Sequence, residues 1–144
     1  MILKEEKLDY IICGGGASGL LLLQALTQDT FFSEKKILLI EKEVKNSNDR
    51  TWSFWEQSKG SFDDLIIKKW DKASFVGPDF RRDFSLTPYH YKMLRSASFY
   101  KKYSPEKTKS KNNKILRATV HKIKTEAKSC MVYTDKGNYS ASKV

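Results

Sequence analysis

The stretch Leu8–Gly19, LDYIICGGGASG, decides the fold. Its first half, Leu8–Cys13, is a short apolar run that reads as a buried strand and stops at Gly14-Gly15-Gly16. Its second half gives way to Leu20–Leu26, LLLLQAL, a run apolar on nearly every face and expected to form a buried rather than an amphipathic helix. Between strand and helix, Gly14, Gly16 and Gly19 stand as G-x-G-x-x-G, with Gly15, Ala17 and Ser18 at the variable places. In that context the first glycine permits the tight turn and the second lets backbone approach a pyrophosphate. The third lets the helix pack closely on the strand. The helix then presents free N–H groups and the positive end of its dipole to phosphate.

Further along, Ile37–Ile40 is a second continuous apolar strand, closed by Glu41. Strand, glycine turn, helix and strand make a βαβ unit whose two strands are expected to be parallel and covered on both faces. Glu41 lies 22 residues beyond Gly19, at the strand tip, where a carboxylate accepts ribose hydroxyls. Its negative charge would repel a 2′-phosphate, which disfavours NADP at this place. The pattern resembles the entry of flavoproteins of the glutathione-reductase type, with Leu23 and Leu26 at that signature's apolar positions. The implied fold is α/β: an incomplete FAD-binding Rossmann-like domain with a small antiparallel β insert.

Composition sets the outer limits. The 144 residues suffice for one domain, and 40% hydrophobic with 12% aromatic residues is a globular balance. Cys13 and Cys130 form no metal spacing and no disulfide framework, which reads as reduced thiols in a cytosolic protein. His90 and His121 stand apart from one another, and no metal is expected. No signal peptide is visible, and the longest apolar run, Leu20–Leu23, is too short to span a bilayer. Much of the net charge of +10 falls between Lys101 and Lys124, where nine Lys or Arg face one acid, Glu106. Such a run suits a solvated loop and a guarded sheet edge, or an anionic lipid surface. Nucleic acid is not expected, because no aromatic platform or recognition helix accompanies the lysines.

Residues 42–61 read as loop-rich, and 62 to about 91 as a small antiparallel insert with a turn at Gly77-Pro78-Asp79. YHYKMLRSASFYKKY, residues 89–103, carries Tyr91, Leu94, Arg95, Ser98 and Phe99 at helical spacing, and a helix is expected there. Lys107–Asn113 reads as a polar loop, and Asp63-Asp64 as a solvated helix start. Strands follow at about 115–120, 123–126, 131–134 and 139–143. The chain stops in the last of them, which reads as truncation of a single N-terminal FAD/NAD(P)-binding domain over residues 1–144.

One stretch fits none of these patterns. Asn48–Glu56, NDRTWSFWE, is rich in indole and guanidinium and shows no clean helical or strand period. With YIICGGGASGL, ILLIEKE, PYHYKML and SFYKKY, it resembles the N-terminal part of bacterial lycopene cyclases. That resemblance implies FAD as cofactor, in reduced form with NADPH a candidate reductant. It further implies lycopene or a related C40 carotenoid as substrate and a cytoplasmic protein peripherally associated with the membrane. The reaction implied is redox-neutral: linear ψ-ends are protonated, close and lose a proton to give β-ionone rings. Arg50 is placed to pair with the FAD pyrophosphate, its fork matching phosphate oxygens. Trp52 and Trp55 offer faces to a polyene, a flavin or a developing cation, or else fill space between sheet and insert. Glu56 reads as a surface or capping residue ahead of an acid. By position in the flavoprotein type, the backbone near Ala118-Thr119-Val120, Val120 above all, touches adenine. No catalytic residue is assigned, and the chain alone is expected to be inactive. Two other readings share parts of the pattern: an FAD-dependent monooxygenase or prenyl reductase, and a non-enzymatic basic binder of membranes or nucleic acid.

Overall fold

The computed structural model describes residues 8–108 and 111–144. The charged N-terminal residues ahead of Leu8 and part of the Lys107–Asn113 loop lie outside them. The chain divides into two compact units: one runs up to Lys45 and resumes at Tyr103, and the other spans Asn46–Lys102.

In the first unit, strand β1 (Leu8–Cys13), helix α1 (Ala17–Gln28) and strand β2 (Ile37–Glu41) form the βαβ unit. β1 and β2 are parallel, in register from Tyr10 opposite Ile37 to Cys13 opposite Ile40. Ile37 through Ile40 are all buried, as a strand covered on both faces requires. Ile12 lies on the α1 side, where Leu20 and Leu23 are also buried. Beyond the βαβ unit, Asn113–Arg117 pairs parallel with β2, and three strands form an antiparallel run: Val120–Thr125, Cys130–Thr134 and Gly137–Lys143. The last of these pairs parallel with β1 and closes a six-stranded sheet. Val132 and Ala141 pack with Ile11, Leu38, Ile40 and Ala118 in one buried cluster.

Helix α1 departs from expectation. Only Leu20 and Leu23 are buried on it, while Leu22 is 49% exposed. The helix is fully covered along one stripe only, with Leu21 and Leu26 half-buried and Leu22 left open.

Residues of the second unit form strands β3 (Thr51–Gln57), β4 (Ile66–Trp70), β5 (Lys72–Gly77), β6 (Phe80–Ser85) and β7 (Tyr89–Arg95), then helix α2 (Ser96–Lys102). β7 is the centre of an antiparallel sheet flanked by β3 and β4, while β5 and β6 form a separate hairpin. Two expectations are corrected. The segment read as loop-rich contains β3, and the stretch read as one helix is a strand followed by a short helix. Tyr91 and Leu94 are three apart, which suits a helix. In β7 they lie on opposite faces, Tyr91 opposite Trp55 and Leu94 opposite Trp52.

Lys92 organises this unit. It is 2% exposed, and its Nζ donates to Asp63 Oδ1 (2.6 Å), Glu56 Oε2 (2.8 Å) and the Ser58 carbonyl (2.8 Å). An ammonium has three N–H donors, so none is left unmatched in the interior. The Lys92 ammonium, donating to Asp63, holds that carboxyl below the usual carboxylate range. Asp63 in turn, with Glu56, pushes Lys92 up. Asp63 sits at the start of a 3-10 turn, Asp63–Leu65, but it is tied to Lys92 instead of serving as a solvated helix start.

Candidate functional site

The loop between β1 and α1 shows the tight turn and the close helix packing at identifiable atoms, and leaves the middle glycine open. Gly14 has φ +109°, a conformation that side chains rarely adopt. A Cβ on Gly19 would sit 1.9 Å from the Gly14 carbonyl oxygen and 3.3 Å from Ile12 Cγ2, so only glycine allows α1 to lie this close. A Cβ on Gly16 would meet nothing within 4 Å, leaving the backbone there open to an approaching group. Gly16 is also the N-cap of α1, with no side-chain cap and no acid in the first turn. The amides of Ala17, Ser18 and Gly19 belong to the first helical turn, which has no carbonyl one turn back to accept them. They form a donor cluster at the positive end of the dipole.

Glu41 comes directly to this loop. Its Oε2 accepts the Gly15 N–H at 2.6 Å and its Oε1 accepts the Glu43 N–H at 2.8 Å. A Cβ at Gly15 would be 3.0 Å from Glu41 Cβ, so the fit is close on both sides. An ionised carboxylate has about four lone-pair positions, and two backbone donors leave room for hydroxyl donors. The Glu41 carbonyl accepts the Ala118 N–H at 3.2 Å, which brings the Ala118-Thr119-Val120 segment to the end of β2. Thr119 N–H is held by Asp135 Oδ1, and Val120 packs against the buried cluster of this unit. Gly14–Gly19, Glu41 and this segment thus follow the carboxyl ends of adjacent parallel strands, where open α/β sheets bind ligands.

Arg50 belongs to the second unit. Its backbone is fixed by two bonds with Ser96, N–H to Oγ at 3.0 Å and carbonyl from N–H at 2.9 Å. The exposed side chain donates through Nη1 to the Asp49 carbonyl at 3.2 Å. Its neighbours have internal duties. Asp49 Oδ1 accepts from the fully buried Ser96 hydroxyl at 2.8 Å, and Asn48 Oδ1 accepts the Ala97 N–H at 3.1 Å.

The two tryptophans separate, because positions 52 and 55 of one strand face opposite ways. Trp52 packs edge-on against Phe99 (5.2 Å) and Tyr100 (5.9 Å) of α2. Trp55, 56% exposed, lies 4.8 Å from Tyr91, which lies 5.7 Å from Trp70. The three rings make a row across β3, β7 and β4 on the other face of the sheet, with Lys68 Nζ 5.9 Å from the Trp70 ring. Trp70 and Lys92 were not singled out from sequence, and Tyr91 only as part of an expected helix. The signal was the strand alternation of residues 89–95, hidden by the helical spacing of the same residues.

A parallel sheet with a G-x-G-x-x-G turn and an acid at the second strand's tip defines a Rossmann-type dinucleotide-binding domain of the flavoprotein kind. Residues 9–144 match the family described as "Lycopene cyclase protein", and the chain belongs to that family. No curated protein sequence matches it. Among solved structures it is similar to 2,6-dihydroxypyridine-3-hydroxylase from Arthrobacter nicotinovorans (12% identity, TM-score 0.63, 96% of this chain and 36% of that one). It is also similar to p-nitrophenol 4-monooxygenase PnpA from Pseudomonas putida DLL-E4 (15%, 0.61, 96% and 39%). A third is pqsL from Pseudomonas aeruginosa, titled "a probable FAD-dependent monooxygenase" (9%, 0.61, 96% and 41%). At these identities the likeness is one of fold, and the chain spans roughly two-fifths or less of each of those structures.

Proposed function

We propose that this chain is the cofactor-binding part of a lycopene cyclase and holds FAD by its ADP half. The observation that carries this reading is the Glu41 carboxylate bonded to Gly15 beside an uncapped helix start, in a chain of the lycopene cyclase family. The amides of the first turn of α1 bind the pyrophosphate, which reaches the backbone over the open side of Gly16. Glu41 accepts the ribose hydroxyls, and the backbone at Val120 meets adenine.

The reaction served is the closure of lycopene ψ-ends to β-ionone rings. A proton adds to the terminal double bond, the neighbouring double bond attacks the cation to form the ring carbon–carbon bond, and an adjacent carbon loses a proton. No electrons are gained or lost overall. Reduced flavin, held by the Gly14–Gly19 loop and Glu41, would supply electron density favouring positive charge at the reacting end, with NADPH as the candidate reductant. The Trp55–Tyr91–Trp70 row supplies an apolar, quadrupole-bearing face suited to a polyene. Trp52 is engaged in packing on α2 and has no part in this. No side chain here is assigned as the proton donor. No helix among the described residues is long and apolar enough to cross a membrane. A membrane-dissolved C40 substrate is reached from a cytoplasmic, peripheral position.

The test is a flavin-fluorescence titration of the chain and of Glu41→Gln. Saturable quenching, weakened at least tenfold by the substitution, is expected. A chain that ignores FAD, also when joined to the remainder of a cyclase, would sink the reading.

A further inference from the structure

The β5–β6 hairpin is amphipathic in a way its own unit does not use. Cross-strand partners share a face: Ala73 with Phe84, Phe75 with Arg82, and Gly77 with Phe80 on one side. Lys72 with Ser85, Ser74 with Asp83, and Val76 with Arg81 lie on the other. All three phenylalanines therefore point one way, and Phe75 and Phe80 touch with ring centres 6.0 Å apart. They are 65%, 53% and 43% exposed at Phe75, Phe80 and Phe84, so the face is open. Val76, 64% exposed, stands on the other face next to the Gly77-Pro78-Asp79 turn.

Charge selects the occupant. Asp83, on the polar face, is already engaged by Ser74 and by Arg81 at 3.2 Å. Arg82 stands on the aromatic face opposite Phe75 and has no ion-pair partner among the described residues. A second copy of this face, which carries no acid of its own, would strip the guanidinium of water without an acid to receive it. A bilayer interface removes the conflict: the rings enter the headgroup–acyl boundary while Arg82 reaches back to lipid phosphate. Lys68 and Lys69 precede the hairpin, Lys72 opens β5, and the chain carries +10 overall, which favours an anionic surface.

We propose that the β5–β6 hairpin is the element that seats this protein on an anionic bilayer, by insertion of Phe75, Phe80 and Phe84 and a phosphate contact from Arg82. The idea deepens the proposed function by naming its membrane contact, and it rests on that reading for why a bilayer is needed. Co-sedimentation with phosphatidylcholine vesicles containing 30% phosphatidylglycerol (about one lipid in three anionic) tests it. The wild-type chain is expected to bind, and Phe75→Ser/Phe80→Ser/Phe84→Ser to lose at least tenfold in partitioning. The matching triple Leu variant should bind as wild type, and Arg82→Gln should weaken binding to anionic vesicles more than to pure phosphatidylcholine. Flavin titration of each variant should be unchanged, so that failure here is separable from failure of the cofactor reading. Equal binding by the Ser variant and wild type, or no binding by wild type, overturns the proposal. So does light scattering that shows a wild-type dimer broken by the Ser substitutions, which would assign the face to a second copy.

Discussion

Two alanine substitutions probe the glycine loop: Gly19→Ala and Gly16→Ala. At Gly19 the new Cβ would stand 1.9 Å from the Gly14 carbonyl oxygen, and real contacts stay beyond 3.0 Å. The loop and α1 must part by the difference, 3.0 − 1.9 = 1.1 Å, against backbone that cannot rotate aside. Overpacking of that kind costs about 1–3 kcal/mol, and the helix preference of Ala over Gly returns at most about 1 kcal/mol. A net loss of about 2 kcal/mol is expected. At Gly16 the backbone, with φ −73° and ψ −172°, accepts any residue, and the methyl meets no atom within 4 Å. Stability there should stay within about 0.5 kcal/mol. Flavin affinity should fall at least tenfold in both, for different reasons: at Gly19 the donors move apart, and at Gly16 a methyl occupies the phosphate approach. Urea unfolding without flavin and fluorescence titration with FAD read the two quantities separately. A Gly16→Ala protein that binds FAD like wild type would refute the assignment of that open side to the pyrophosphate. A Gly19→Ala protein of unchanged stability would refute the packing argument.

Trp52→Ala should destabilise the second unit by about 2–4 kcal/mol through lost packing on Phe99 and Tyr100. Trp55→Ala should cost less than about 1.5 kcal/mol while lowering turnover in the complete enzyme; equal stability losses would contradict the facing of β3. Lys92→Met, checked by urea midpoint against pH, should destabilise the unit at neutral pH by leaving Glu56 and Asp63 together without their cation. In the wild type, Asp63 is held low, so its contribution is present above the unfolded carboxylate value and lost as pH falls through the lowered one. Lys92 is pushed up, so its contribution is present below the unfolded lysine value and lost as pH rises through the raised one. Lys92→Met should therefore shrink both limbs. The acid limb should persist in part through Asp71, held low by His90, and Asp83, held low by Ser74 and Arg81. Gly60→Ala places a Cβ 1.8 Å from Glu56 Oε1, and should destabilise wild type more than a Glu56→Ala background.

The first unit was legible because its signals are local and mutually consistent. A continuous apolar strand, a glycine turn and a terminal acid each specify their neighbours, and Gly14, Gly19 and Glu41 meet as the spacing implied. The second unit was not, because its determinants are long-range. β3 alternates in burial, yet aromatic residues stand on both of its faces, so polarity does not mark the strand. Lys92 reads as a surface lysine until Asp63 and Glu56, distant in sequence, close on it.

The NDRTWSFWE run is where the two levels meet. Asn48 and Asp49 hold the start of α2, Trp52 packs on that helix, and Glu56 anchors Lys92. Those four residues are accounted for by the folding of one unit, with no ligand needed. Much of a run that reads as a functional signature is thus architecture. Arg50 and Trp55 differ, since the side chain of each is exposed and spends little on its own unit: one bond to a neighbouring carbonyl, and one ring contact. Substitution of either should leave the packing of the unit nearly unchanged. These two positions, and not the whole run, are therefore the ones whose substitution separates function from folding, while the cofactor reading itself rests on Glu41 and the glycine loop.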